Sequence, residues 1–263
     1  MLSALSPARR RLALGVGALA ISAVVLAALL VVRQLQVDPA EPVAQNLPGP
    51  VLLVPGYGGS TASLAPLAAE LDRAGRAVTV VELAGDGRGD LRTQAKLLAA
   101  AAENARDETG SASVDVVGYS AGGVIARLWV RDFGGAGLAR RVVSLGSPHH
   151  GTDLADLGRG VTPDSCPVAC QQLAPDSEFI ARLNAGDETP AGPAFVAVWT
   201  VLDEVVTPPD SARLDGALNL TVQSVCVGSR ARHGDLPGAP AVAAILDSTL
   251  GAGPPAAPRT CPA

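Results

Sequence analysis

The chain has 263 residues, 48% of them apolar but only 3% aromatic, and a formal net charge of −5. That length suits a large domain whose core is built mainly from Ala, Val and Leu. The acidic balance, with Lys96 as the sole lysine and no basic run beyond the N-terminus, argues against a nucleic-acid partner.

Arg9, Arg10 and Arg11 precede an uncharged stretch, residues 12–32. As a helix this stretch would be about 31 Å long, close to the hydrocarbon thickness of a bilayer. It is longer than the apolar part of a cleaved signal peptide and lacks a small-residue exit site, so it is read as an N-terminal transmembrane anchor. The arginines would stay on the cytoplasmic side, giving a single-pass cell-membrane protein whose remaining chain lies outside. The alternative is a secreted protein released by signal cleavage. The expected organisation is a stub and anchor over 1–33, a Pro-rich linker over 34–50 and one domain over 51–263.

From residue 51 onward, strand and helix patterns alternate. Val51–Val54 reads as a short buried strand, and the loop after it, VPGYGGS, is rich in glycine. Ser60 or Thr61 could cap a helix carrying Leu64, Leu67, Ala68 and Leu71 on one face. The β-branched run 78–83 predicts a second strand. Asp90 could cap a long helix with Leu91, Ala95, Leu98 and Ala102 aligned. Strands are then expected at 114–117, 142–145, 195–202 and 220–227, with a closing helix at 241–250. Residues 148–190 interrupt this rhythm with Gly, Pro and Asp, as an excursion over one face would. The alternation predicts an α/β fold: a mostly parallel central sheet of about six strands with helices on both faces, preceded by the N-terminal transmembrane helix.

The strand at 114–117 runs into GYSAGGVIARLWV, which places Ser120 between Gly118 and Gly122. A serine at a sharp strand-to-helix turn needs neighbours two places away with almost no side chain; this is the G-x-S-x-G elbow of a nucleophile. Such a serine needs a base, and the chain has only three histidines, His149, His150 and His233. The order serine, acid, histidine favours His233 as base. His149 and His150 follow a predicted strand and are expected to line the pocket. Asp203, at the end of FVAVWTVLD, is the favoured acid over its neighbour Glu204, because ligands and catalytic groups gather at the carboxyl ends of parallel strands. Asp153 and Asp235 do not end strands. The main-chain N–H of Ala121 is one candidate oxyanion donor and that of Tyr57, in the first glycine-rich loop, the other. Gly56 and Gly58 would let this loop approach a substrate. The loop lacks the G-K-[ST] ending of a phosphate-binding loop.

Cys166, Cys170, Cys226 and Cys261 all lie beyond the apolar stretch, and an even count in an exported domain points to two disulfides, with three pairings possible. Their spacing does not suggest zinc, so no metal site is expected among them. Asn219-Leu220-Thr221 has the form of a glycosylation sequon.

VLLVPGYGGS, VDVVGYSAGGVIAR, VVSLGSPHHGT, TVLDEVVTP and RHGDLP, in this order over residues 51–237, give the chain a resemblance to the α/β-hydrolase superfamily, and within it to the class 2 type bacterial lipases of bacilli and actinobacteria. The resemblance implies Ser120 as nucleophile, Asp203 as acid, His233 as base, Tyr57 and Ala121 as oxyanion donors, a short lid and no organic cofactor. Where that family has His-Gly after the first strand, this chain has Pro55-Gly56. The implied activity is hydrolysis of carboxylic esters, acyl lipids included, with the membrane and the ester as partners. Acyl transfer to an alcohol would use the same residues, and a non-catalytic binding protein on the same scaffold is the reading from a different class.

Overall fold

The computed structural model describes residues 42–161 and 165–261, together with the isolated positions 16, 21, 22 and 24–26. The chain divides into two compact units, Met1–Ala40 and Glu41–Ala263. Most of the predicted anchor lies outside the described residues; its six described positions are helical and exposed. Among the described residues no helix is long and apolar enough to cross a membrane.

The second unit is built on six parallel strands in the order β2-β1-β3-β4-β5-β6. They are β1 (Val51–Val54), β2 (Val78–Val80), β3 (Val114–Tyr119), β4 (Ala139–Leu145), β5 (Ala194–Trp199) and β6 (Leu218–Thr221). Consecutive side chains of a strand face opposite sides of the sheet, so a strand buried on both faces is apolar throughout. In β1, Leu52 and Val54 join one core with α2 (Leu91–Thr109) and α3 (Ala121–Asp132). Val51 and Leu53 join the opposite core with α1 (Ala65–Arg73) and the closing helix.

The main helices sit close to their expected positions. Asp90 caps α2 by accepting from the Arg92 N–H at 2.9 Å, and Gly110 ends it in a left-handed conformation. Ser60 and Thr61 do not cap α1: a 3-10 turn at Thr61–Leu64 leads into it instead, with Pro66 in its first turn. The excursion after β4 carries α4 (Asp153–Val161), α5 (Val168–Gln172) and α6 (Glu178–Leu183).

Four strands depart from expectation. β2 stops at Val80, three residues before the end of the run expected over 78–83. β4 begins at Ala139, three residues early, because Arg140 and Arg141 are buried within it. β5 stops at Trp199, so Asp203 stands in the following turn, its N–H donating to Thr200 O at 3.2 Å. The predicted strand 220–227 is β6 followed by a helical turn at Val222–Val225, which Thr221 caps. The closing helix is α7 (Pro240–Leu250). Two disulfides are formed, Cys166–Cys170 and Cys226–Cys261. Asn219 is not a free acceptor for a glycan: its amide donates to Leu214 O at 2.7 Å and Ala217 O at 3.0 Å.

Candidate active site

Ser120 joins β3 to α3 with φ = 53° and ψ = −125°, and among the described residues it is the one non-glycine with positive φ. Its N–H donates to Leu145 O of the adjacent strand at 2.8 Å, which anchors the turn. A side chain at Gly118 would overlap the Gly122–Gly123 backbone, and one at Gly122 would overlap Val54 and Pro55. The two glycines therefore let the elbow close against β1.

His233 opens a 3-10 turn after the last strand and is buried, with Nε2 3.1 Å from Ser120 Oγ. Its Nδ1 lies 2.8 Å from Asp203 Oδ2. The other Asp203 oxygen accepts from the N–H groups of Val205 at 2.9 Å and Val206 at 2.8 Å. The carboxylate is thus held by its own turn, and its orientation sets Nδ1 as donor and Nε2 as acceptor. Glu204, next in sequence, is exposed.

Ala121 is the first residue of α3, so its N–H has no intrahelical acceptor and lies beside the serine. Tyr57 flanks the same spot from the loop after β1, half-exposed, with the Arg88 guanidinium 5.5 Å over its ring. Gly56 backs the serine, since a Cβ there would meet Ser120 Cβ at 2.9 Å. Gly58 has φ = 90° and open space around it.

The two adjacent histidines are not where a pocket lining would put them. His149 is fully buried beneath the sheet edge, its Nε2 2.9 Å from Ser144 Oγ. Burial first, and then Arg127 and His150, hold its pKa well below the ordinary value, so it is a neutral packing residue. His150 points the other way, with Nδ1 3.2 Å from Ser211 O and Nε2 2.8 Å from Glu188 Oε1. The β4 exit expected to bring both to the pocket turns inward at His149 and leaves His150 exposed instead.

Two further groups escaped the sequence reading. Tyr119 donates from its hydroxyl to His233 O at 3.2 Å, and its ring lies 5.2 Å from the imidazole. Burial, followed by Asp203, Glu204 and Asp235, pushes its pKa up to about 12, so it stays a donor. Thr200 donates to Ala231 O at 2.6 Å and holds the loop that carries the histidine. The only local signal for Tyr119 was its place inside the elbow; Thr200 had none. Beside Ser120 lies a cleft of about 250 Å³, lined mainly by apolar residues that include Tyr57, Pro148, Leu154, Leu173 and Val206. Among the described residues no group of three or more His, Cys, Asp or Glu side chains is placed to hold a metal ion.

Residues 49–164 match the family model for the alpha/beta hydrolase fold. Aspergillus fumigatus lipase B is similar in structure, with a TM-score of 0.71 and 21% identity over 84% of this chain and 57% of that one. The chain therefore spans little more than half of that lipase. Bacillus licheniformis lipase BlEst2 in mature form gives a TM-score of 0.56 at 22% identity, over 69% of this chain and 85% of that one. The lin2722 gene product of Listeria innocua gives 0.54 at 19% identity, over 75% and 91%. No curated protein matches the sequence.

Proposed function

We propose that this chain, which has the α/β-hydrolase fold, is a serine hydrolase of carboxylic esters. The observation that carries the reading is the unbroken hydrogen-bonded series Ser120, His233, Asp203, with contacts of 3.1 and 2.8 Å. Ser120 Oγ attacks the ester carbonyl carbon while His233 Nε2 takes its proton. Asp203 steadies the resulting imidazolium without itself being protonated. The N–H groups of Ala121 and Tyr57 stabilise the oxyanion. The carbon–oxygen bond to the alcohol breaks, His233 returns the proton to the leaving alkoxide, and the acyl group remains on Ser120. Water then attacks the acyl-serine, gives one proton to His233, and the acid departs as that proton returns to Ser120.

The mainly apolar cleft supports esters with a hydrophobic chain, acyl lipids among them. In this reading residues 12–32 anchor the protein in the cell membrane and hold the hydrolase outside. The test is hydrolysis of p-nitrophenyl esters together with labelling by a fluorophosphonate, which reacts with activated serines. We expect Ser120→Ala to lose both while remaining folded. Asp203→Asn should keep the fold and lose about ten-thousandfold in kcat, because the imidazole is then held in the wrong tautomer. Labelling that persists in Ser120→Ala would refute the assignment of the nucleophile.

A further inference from the structure

Gly158 lies inside α4, with helical rather than left-handed backbone. A glycine there weakens a helix by about 1 kcal/mol relative to alanine. Packing does not demand it: a Cβ at 158 would meet Cys170 Sγ at 3.4 Å and Cys166 at 3.9 Å, within ordinary contact. Gly158, Ala155 and Cys170 all line the cleft that also holds Ser120. Both sulfurs of the Cys166–Cys170 bridge sit 3.8 Å from Ala155 O, against the same face of α4. With no S–H left to donate, these are packing contacts.

The bridge cannot recede, because α5 is tied to the start of α2. Gln172 accepts from the Leu91 N–H at 2.8 Å and donates to Asp90 Oδ1 at 2.7 Å, and the Ala169 N–H donates to Arg88 O at 3.1 Å. The cleft thus has room for no more than a methyl group between Gly158 and a fixed wall of disulfide.

We infer that Gly158 and the Cys166–Cys170 bridge form the end-stop of an acyl-chain site and set the length of acyl group the enzyme accepts. The inference rests on the ester-hydrolase reading. The acyl group stays bonded to Ser120 through both half-reactions, so the cleft continuous with that serine is the one its chain must occupy. A missing side chain at 158 leaves room for the chain's far end, at a cost to helix stability that the fold itself does not require.

The test compares kcat/KM for p-nitrophenyl octanoate and p-nitrophenyl acetate, which share a leaving group. We expect Gly158→Leu to lower the octanoate-to-acetate ratio by about tenfold or more, octanoate losing far more than acetate. Gly158→Ala should lower it a few-fold while raising the melting temperature. Gly160→Ala is the control: a Cβ there meets nothing and the residue does not line the cleft, so the ratio should stay at the wild-type value. An unchanged ratio in both Gly158 variants, or an equal loss on both esters, overturns the end-stop while leaving ester hydrolysis intact. If Gly158→Leu does not fold, Gly158→Ala decides alone. A folded wild type that cleaves neither ester overturns the hydrolase reading and the inference with it.

Discussion

At Ser120 the backbone adopts φ = 53°, a region that costs a non-glycine residue about 1–3 kcal/mol. The anchoring hydrogen bond to Leu145 and the two close glycine contacts hold it there. This part of the site was legible because it is local: the strain of the turn dictates glycine two places to either side. Asp203 and His233 were legible only through chain order, which singles out an acid and a histidine but says nothing about distance. His149 and His150 were misjudged because adjacency to a strand end does not tell which way a side chain turns. His149 also carries a prediction. The folded protein keeps it neutral, while the unfolded chain binds a proton near the ordinary value of 6.5. The unfolded state then holds more protons below that pH, so stability is full above 6.5 and falls as the pH drops through it. Melting temperatures measured between about pH 7.5 and pH 5 should fall less in His149→Gln than in wild type, since glutamine takes up no proton there. Parallel falls in the two proteins would show that His149 is not the group responsible.

At the scale of elements, the main helices follow from apolar spacing and caps, and the errors fall at strand ends. β4 is the clearest case. The strand expected at 142–145 leaves out Arg140 and Arg141, yet both are buried in it. Arg140 donates to Asp115 of β3 through Nε at 2.9 Å and Nη2 at 2.6 Å, and Arg76 reaches the same carboxylate at 2.5 Å. The remaining donors of Arg140 and Arg141 go to main-chain oxygens of Gln45, Arg140, Thr249, Leu250, Gly251 and Gly253 and to the side-chain Oε1 of Gln45. This arginine cluster fastens the segment before β1 and the tail after α7 to the amino ends of the strands. A buried charge is tolerable only when paired and fully hydrogen-bonded, and no periodicity in one segment reports a partner in another. Asp115→Asn leaves these guanidinium charges uncompensated. It should destabilise the fold by about 3–5 kcal/mol in urea unfolding, with no change in fluorophosphonate labelling of the molecules that remain folded. A loss below about 1 kcal/mol would mean that solvent reaches the cluster.

Across the whole molecule, the carboxyl ends of the strands carry the site and the amino ends carry the arginine cluster. The division follows from the parallel sheet, which sends each crossover back to the same starting edge and leaves the opposite edge to loops that bear function. The proposed N-terminal anchor is tested at this scale too. If residues 12–32 span the bilayer, the full chain should stay with the membrane fraction through an alkaline wash and come off with detergent. Recovery in the wash, at full length, would remove the anchor from the proposal.

Sequence by itself determined the parallel α/β architecture, the elbow serine and the short list of partners for it, because these depend on periodicity, turn sterics and chain order along a single line. Only the tertiary structure decided which acid and which histidine stand within hydrogen-bonding distance of each other and of Ser120, which cysteines are joined, and why two arginines sit inside a strand. Those outcomes depend on groups far apart in the chain being brought into contact, and a linear pattern carries no measure of separation in space.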